Sequence, residues 1–261
     1  MSSNKNSDYQ SRELKTAIKA AKIGAAKAKK YFDNKTDLNQ KTKLDNTPVT
    51  IADPATEEVI KKFILSKFPN ANIIGEETGG SMTNETFWVI DPIDGTRSFI
   101  RGIPTWGVLI AFCKNNQFQI GVCYFPLLDV MIWAETGQGA FLNGKKINVS
   151  KVKNLNKAYV STGNIKHFEK KQVIFDLADA SYVLRCPEAT YATYLVVCGK
   201  TDALVDVKAS LWDYAPFITI AKEAGGKISN TKGDPLKLTD KGYVVTNGLL
   251  HDDVIKIVNK Y

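Results

Sequence analysis

From Leu14 onward, the apolar residues Leu14, Ile18, Ala21, Ala25, Ala28 and Phe32 recur at spacings of four and three, which places them on one face of a helix. Lys15, Lys19, Lys22 and Lys29 fall off that stripe and predict a solvated opposite face. The polar residues 1–9 predict a frayed start, and the stretch from Asn34 to Asn46 reads as a loop. Asp53-Pro54 predicts the start of a second helix, because Asp is a good N-cap and Pro is favoured at the first helical position. Val59, Phe63 and Ile64 would form its apolar face.

From Ile73 the period changes. Short apolar runs at Ile73–Ile74, Phe87–Ile90, Trp106–Cys113, Phe118–Phe125 and Val130–Ala134 are separated by turn residues and predict several strands of a sheet. Asn143-Gly144 within GAFLNGKKINVS is a type I′ hairpin signal. After Ser150 the pattern alternates, with strands near Tyr159, at Tyr182–Leu184, at Ala203–Val207 and at Tyr243–Thr246. Between them lie helices at about 168–179, 188–198 and 213–224, and a last helix starts at His251. The order predicts a layered α/β (α+β) fold, with an N-terminal α+β subdomain over residues 1–150 and a C-terminal α/β subdomain over 151–261.

Composition narrows the chemistry. At 261 residues, 44% hydrophobic and 24% charged, the chain matches an ordinary globular protein, which excludes disordered and fibrous classes. Only His167 and His251 are present, which argues against a His-rich zinc site or a phosphohistidine enzyme. The four cysteines show no CxxC spacing, and none has an Arg six residues later as a cysteine phosphatase loop requires; they read as reduced, mostly buried thiols. The formal charge is +8, of which residues 1–67 contribute a net +6. Such a surface can serve nucleic acid or anionic membrane, but the lysines lack interleaved aromatics and read as the wet side of one helix. MSSNKNSDYQ is polar throughout, and the longest apolar stretch, Gly102 to Cys113, is short and contains Pro104. No secretory signal, membrane span or nucleic-acid partner is therefore expected, and the expected location is cytoplasmic.

Two glycine-containing segments invite a phosphate-binding reading. Gly139–Lys146, GAFLNGKK, approaches the GxxxxGK[ST] loop but ends in Lys146, which lacks the hydroxyl that would hold Mg²⁺, and the Asn-Gly turn accounts for its glycine. More informative is Asp91-Pro92-Ile93-Asp94-Gly95-Thr96, directly after the apolar run FWVI. A strand ending in two aspartates can aim both at one point, while Gly95 lets backbone approach a ligand. Asp-Pro and Asp-Gly are also ordinary turn dipeptides. In haloacid-dehalogenase phosphatases the paired aspartates stand two apart, whereas here the gap is three. Further acids follow strands or open helices at Gly75-Glu76-Glu77, Asp53 and Asp213. Four carboxylates in one cleft need cations or raised pKa values, since two at 4 Å repel by about 4 kcal/mol at an effective dielectric near 20. All-oxygen ligation selects a hard ion, Mg²⁺ or Mn²⁺, over Zn²⁺.

Taken together, PVTIAD at Pro48–Asp53, GEE at Gly75–Glu77, DPIDGTRSF at Asp91–Phe99, WDYAP at Trp212–Pro216 and EAGG at Glu223–Gly226 resemble the motifs of the inositol monophosphatase family of Mg²⁺-dependent, lithium-sensitive phosphatases. The resemblance runs from about Ala17 to Gly248 and implies an alternating α-β-α-β-α sandwich. It implies that Glu76, Asp91, Asp94 and the Ile93 carbonyl ligate metal, that Asp213 completes a second site, and that two or three Mg²⁺ ions are bound. It further implies that Asp53 and Thr96, with Glu76, form the catalytic set that activates water, and that Gly95 and Thr96 hold the phosphate through their amides. No covalent phosphoenzyme is expected.

The run DPIDGTRSFIRGIPTWGVLIAF looks most like the histidinol-phosphatase branch, with Arg97 after the threonine, and so implies histidinol phosphate as substrate and a place in histidine biosynthesis. Inositol-specific members usually carry Asn at Ser98 and His at Arg101; the 3′-phosphoadenosine and fructose-bisphosphate activities of the family are further alternatives. Asp206 stands where the family often places Glu against the substrate's polar groups, and it could pair with histidinol's amine or with hydroxyls. Arg185-Cys186-Pro187-Glu188-Ala189-Thr190 departs from the branch's glycine-rich segment. Glu188 is there either a replacement acid or a helix first-turn residue favoured by the dipole. The resemblance implies a homodimer acting on a small phosphomonoester. A non-enzymatic alternative is a basic nucleic-acid-binding protein that retains the fold.

Overall fold

The computed structural model describes residues 10–34, 38, 40–42 and 48–261. The expectation for residues 1–9, and most of that for 34–46, lies outside the described residues. The first helix, α1 (Arg12–Asn34), buries Leu14, Ala17, Ala21, Ala25 and Ala28 and leaves the four off-stripe lysines exposed. Within the predicted loop, β1 (Lys41–Thr42) pairs antiparallel with β2 (Pro48–Val49). The second helix, α2 (Ala52–Lys67), departs from expectation in two respects. Its buried face is Ala52, Asp53, Thr56, Glu57, Ile60 and Ile64, while Val59 and Phe63 are half-buried. Asp53 is not the N-cap: it lies in the first turn, and its Oδ2 accepts the Thr50 N–H at 2.8 Å and the Thr50 hydroxyl at 2.7 Å.

Seven strands form the larger sheet: β3 (Ile73–Gly75), β4 (Phe87–Asp94), β5 (Gly107–Lys114), β6 (Gln117–Phe125), β7 (Val130–Glu135), β8 (Gly139–Leu142) and β9 (Lys145–Ile147), side by side in chain order. Only β3–β4 is parallel. A short helix, α3 (Thr96–Arg101), interrupts the run after β4; at six residues it was too short to show a period. Between β8 and β9, Asn143 (φ 47°) and Gly144 (φ 80°) both adopt the left-handed conformation of a type I′ turn, as the Asn-Gly pair predicts.

The remaining elements are β10 (Tyr159–Thr162), α4 (Gln172–Ala180), β11 (Val183–Arg185), α5 (Ala189–Val197), β12 (Ala203–Asp206), α6 (Leu211–Glu223), β13 (Lys227–Ser229), β14 (Tyr243–Thr246) and α7 (His251–Val258). Their five strands form a second sheet in the order β11-β10-β12-β14-β13.

Alternation along the strands explains the stacking. Trp88, Ile90, Val108, Ile110 and Val122 face α1 and α2, packing on Leu14, Ala21, Ile60 and Ile64. Their neighbours Val89, Leu109, Ala111 and Cys123 face the other way, onto Phe217 and Ile220 of α6 and Ala192 and Val196 of α5, which also contact Leu204 and Val245 of the second sheet. Beyond that sheet, Val160, Val205 and Val244 meet Val173, Leu177 and Val254 of α4 and α7. The layers therefore run α-β-α-β-α. Cys113 and Cys123 are buried, Cys198 is half-buried and Cys186 is exposed. Among the described residues no helix is long and apolar enough to cross a membrane.

Candidate active site

The cleft is organised by the end of β4. In an uninterrupted strand, Asp91 and Asp94 would point to opposite faces, because side chains alternate and the two are three apart. The pairing with β5 removes that problem: Asp91 lies opposite Leu109 and Asp94 opposite Gly107, so three steps on β4 match two on β5. This is a β-bulge. Pro92, which has no N–H for the ladder, sits inside it, and the Ile93 N–H turns back onto Asp91 Oδ1 at 3.1 Å. The chain then reverses at Gly95, whose φ of 77° is a left-handed conformation natural to glycine, and α3 begins at Thr96.

Asp213 arrives from the opposite side, in the first turn of α6. Ser210 is the N-cap, and its N–H donates to Asp213 Oδ2 at 2.7 Å in a capping box. One oxygen each of Asp91, Asp94 and Asp213 lies within 4.8 Å of the others. Glu76 follows β3, and its N–H donates to the Ile90 carbonyl at 3.1 Å. This extends the parallel pairing and sets the Glu76 carboxylate beside Asp91. Asp53 lies just behind this surface, 1% exposed, and the Thr96 hydroxyl stands 3.4 Å from its Oδ1 and 3.1 Å from the Ile93 carbonyl. One hydroxyl proton thus has two acceptors.

The wall opposite the acids comes from the second half of the chain. Asp206 ends β12 at 6% exposure and accepts the Lys208 N–H at 3.1 Å. Glu188 stands at the N-cap position of α5 but does not cap it; its Oε2 accepts the Ser98 hydroxyl at 3.1 Å, and Thr105 donates to Ser98 at 3.3 Å. Glu188 therefore reaches across to α3, as neither of its two expected roles anticipates. Arg97 is exposed on the rim. Apart from Asp53, every predicted site residue lines one cleft of about 350 Å³. Thr190, Asn164 and His167 line it as well and escaped the sequence reading. Thr190 belongs to the segment that departs from the resembling motifs.

Burial dominates the electrostatics. Desolvation, and then the charges of Glu76, Asp94 and Asp213, push Asp91 well above the usual carboxylate range. Desolvation, and then Asp213 and Glu188, do the same to Asp94. Burial lifts Asp213 to about 7 and Asp206 to about 6. Asp94 Oδ2 is buried with no hydrogen-bond partner. A cluster of oxygen donors with an orphaned buried carboxylate oxygen fits a hard divalent cation, which would satisfy that atom and neutralise the mutual repulsion.

Comparison with known proteins agrees with this geometry. The sequence profile of the inositol monophosphatase family matches residues 10–261. The chain is 34% identical over 212 residues to a Thermotoga maritima protein named fructose-1,6-bisphosphatase/inositol-1-monophosphatase, covering 81% of this chain and 82% of that one. It is also 34% identical over 257 residues to the histidinol-phosphatase of Chlorobaculum parvum, covering 94% and 96%. Among solved structures, Thermotoga maritima IMPase matches with a TM-score of 0.88 at 31% identity, over 96% of this chain and 98% of that one. With the profile spanning both sheets and the acid-lined cleft between them, the chain belongs to the inositol monophosphatase family of metal-dependent phosphatases.

Proposed function

We propose that the protein is a Mg²⁺-dependent phosphomonoester hydrolase whose substrate is histidinol phosphate. The observation that carries the substrate reading is the pair Glu188 and Asp206 on the wall facing the acid cluster. Two carboxylates there suit a leaving group bearing an ammonium, as histidinol does, better than an uncharged polyol. Asp206, lifted to about 6 by burial, ionises fully once a cation lies against it.

Glu76, Asp91, Asp94, Asp213 and the Ile93 carbonyl would hold two or three ions. When bound, these supply charge neutralisation for the phosphate and activation of the nucleophile. The residues of the chain do the rest. The Thr96 hydroxyl passes its proton to Asp53 Oδ1 as it takes one from the attacking water, while Asp53 Oδ2 accepts from Thr50. The N–H groups of Gly95 and Thr96 hold phosphate oxygens, positioned by the reversal at Gly95. Arg97 adds a positive charge at the rim.

A phosphate-release panel with Mg²⁺, using histidinol phosphate, inositol 1-phosphate, fructose 1,6-bisphosphate and 3′-phosphoadenosine 5′-phosphate, tests this. The expected result is the highest kcat/KM on histidinol phosphate and no turnover in EDTA. Preference for another ester would overturn the substrate assignment. Tight oligonucleotide binding at physiological salt without turnover would favour the nucleic-acid alternative. The proposal includes a cytoplasmic homodimer, checked in solution by sedimentation.

A further inference from the structure

We infer that Glu57, one helical turn beyond Asp53 on α2, is a positioning residue that fixes the turn bearing Glu76 and so sets the affinity of the cation site. The inference rests on the reading of Glu76 as a cation ligand. Glu57 is 0% exposed, and a carboxylate is rarely buried so fully unless it has partners. Its Oε2 accepts the backbone N–H of Glu77 at 2.8 Å, its Oε1 accepts the Thr78 hydroxyl, and Lys61 Nζ lies 3.4 Å from Oε1 while also donating to Thr78. Gly75 makes room for this: a Cβ built there would overlap the Glu57 carboxylate. An ion pair with Lys61 alone would need neither the buried acceptor nor the bare glycine.

The backbone around Glu76 is therefore held from both sides. Its own N–H is tied to the Ile90 carbonyl, the next N–H is tied to Glu57, and Gly75 and Gly79 close the turn with paired bonds of 3.0 and 2.9 Å. Asp53 and Glu57 are four apart and share the buried face of α2. One helix thus supports the Thr96 side of the cleft through Asp53 and the Glu76 side through Glu57.

The test is direct titration of the metal-free protein with Mn²⁺ by electron paramagnetic resonance and with Mg²⁺ by calorimetry, without substrate. Glu57→Gln, folded by circular dichroism, is expected to lose about 10-fold or more in cation affinity, as outer-shell changes do. The Mg²⁺ concentration for half-maximal turnover should rise in step, with KM for the ester at saturating Mg²⁺ within about twofold of wild type. Thr78→Val, at an exposed position, should fold and weaken affinity by about threefold, the scale of one hydrogen bond. If Glu57→Gln fails to fold, Thr78→Val decides. Unchanged cation affinity in a folded variant overturns the inference. Glu76→Gln separates the two readings: unchanged affinity there removes Glu76 as a ligand, and a loss confined to Glu57→Gln shows that Glu57 does not act through Glu76.

Discussion

Asp53 and Asp213 bind the chain entering their helices in the same way. Each lies in the first turn, and each gives one carboxylate oxygen to a backbone N–H three residues earlier, at Thr50 and at Ser210. At Asp213 the carboxylate also offers an oxygen to the cluster with Asp91 and Asp94. Capping and ligation can therefore be separated at Asp213. Asp213→Asn keeps an acceptor for Ser210 and is expected to lose Mg²⁺ affinity while remaining at least as stable as wild type in EDTA. Asp213→Ala should lose the same affinity and be less stable than Asp213→Asn by about 1 kcal/mol, the worth of a cap. Thermal melts in EDTA beside Mg²⁺ titrations check both.

Asp94→Asn is expected to abolish Mg²⁺-dependent phosphate release while the fold survives. Oδ2 of Asp94 has no protein partner, so neutralising it removes repulsion without breaking a hydrogen bond at that atom, and the melting temperature in EDTA should hold or rise. Retained turnover in a folded Asp94→Asn protein would sink the site assignment.

The raised acids make cation binding and stability depend on pH. Asp213, ordinarily near 3.8, is lifted to about 7, so the folded cation-free protein binds a proton there that the unfolded chain has already released. Stability in EDTA should therefore fall as pH rises through that window. Protons and Mg²⁺ compete for the same oxygens. The rise in melting temperature on adding Mg²⁺ should accordingly grow from about pH 6 to about pH 8. A Mg²⁺ effect that shrinks over that interval would contradict the clustering of these acids around a cation.

Specificity should reside in the acids of the opposite wall. Glu188→Gln, which can keep its contact with Ser98, and Asp206→Asn are each expected to lower kcat/KM for histidinol phosphate by about 10-fold or more, the scale of a charge-assisted hydrogen bond. Turnover of inositol 1-phosphate should change much less. Equal losses on both esters would show that the two acids support the site rather than read the amine.

His251 predicts a separate acid limit. It is buried between the Thr246 hydroxyl at 3.1 Å and the Ser229 hydroxyl at 2.9 Å, and burial lowers its pKa from 6.5 to about 4. The stability gained by keeping it neutral is fully present above 6.5 and is lost as pH falls toward 4. Melts in saturating Mg²⁺ should show this fall, and His251→Gln should flatten it.

Much of this arrangement was legible in the residues themselves. The Leu14–Phe32 stripe identified α1, Asn143-Gly144 identified its hairpin, and the acids at 76, 91, 94 and 213 do meet in one cleft. The inward face of α2 was not legible, because its buried positions include Asp53, Thr56 and Glu57, polar groups that periodicity assigns to solvent. The hydrogen bond from Thr50 to Asp53 spans three residues, the same spacing that joins Ser210 and Asp213. The slip between Asp91 and Asp94 depends on pairing with β5, and the contact between Glu188 and Ser98 spans ninety positions along the chain, so neither leaves a local trace.

The place of α6 has a consequence for how the molecule is made. Its first turn carries Asp213 while its body fills the space between the two sheets. As the chain is synthesised from its N-terminus, Glu76, Asp91 and Asp94 emerge long before Asp213, and the cluster stays incomplete until α6 has docked. Cations therefore stabilise the finished protein rather than its intermediates, and in refolding experiments Mg²⁺ should slow unfolding far more than it speeds folding.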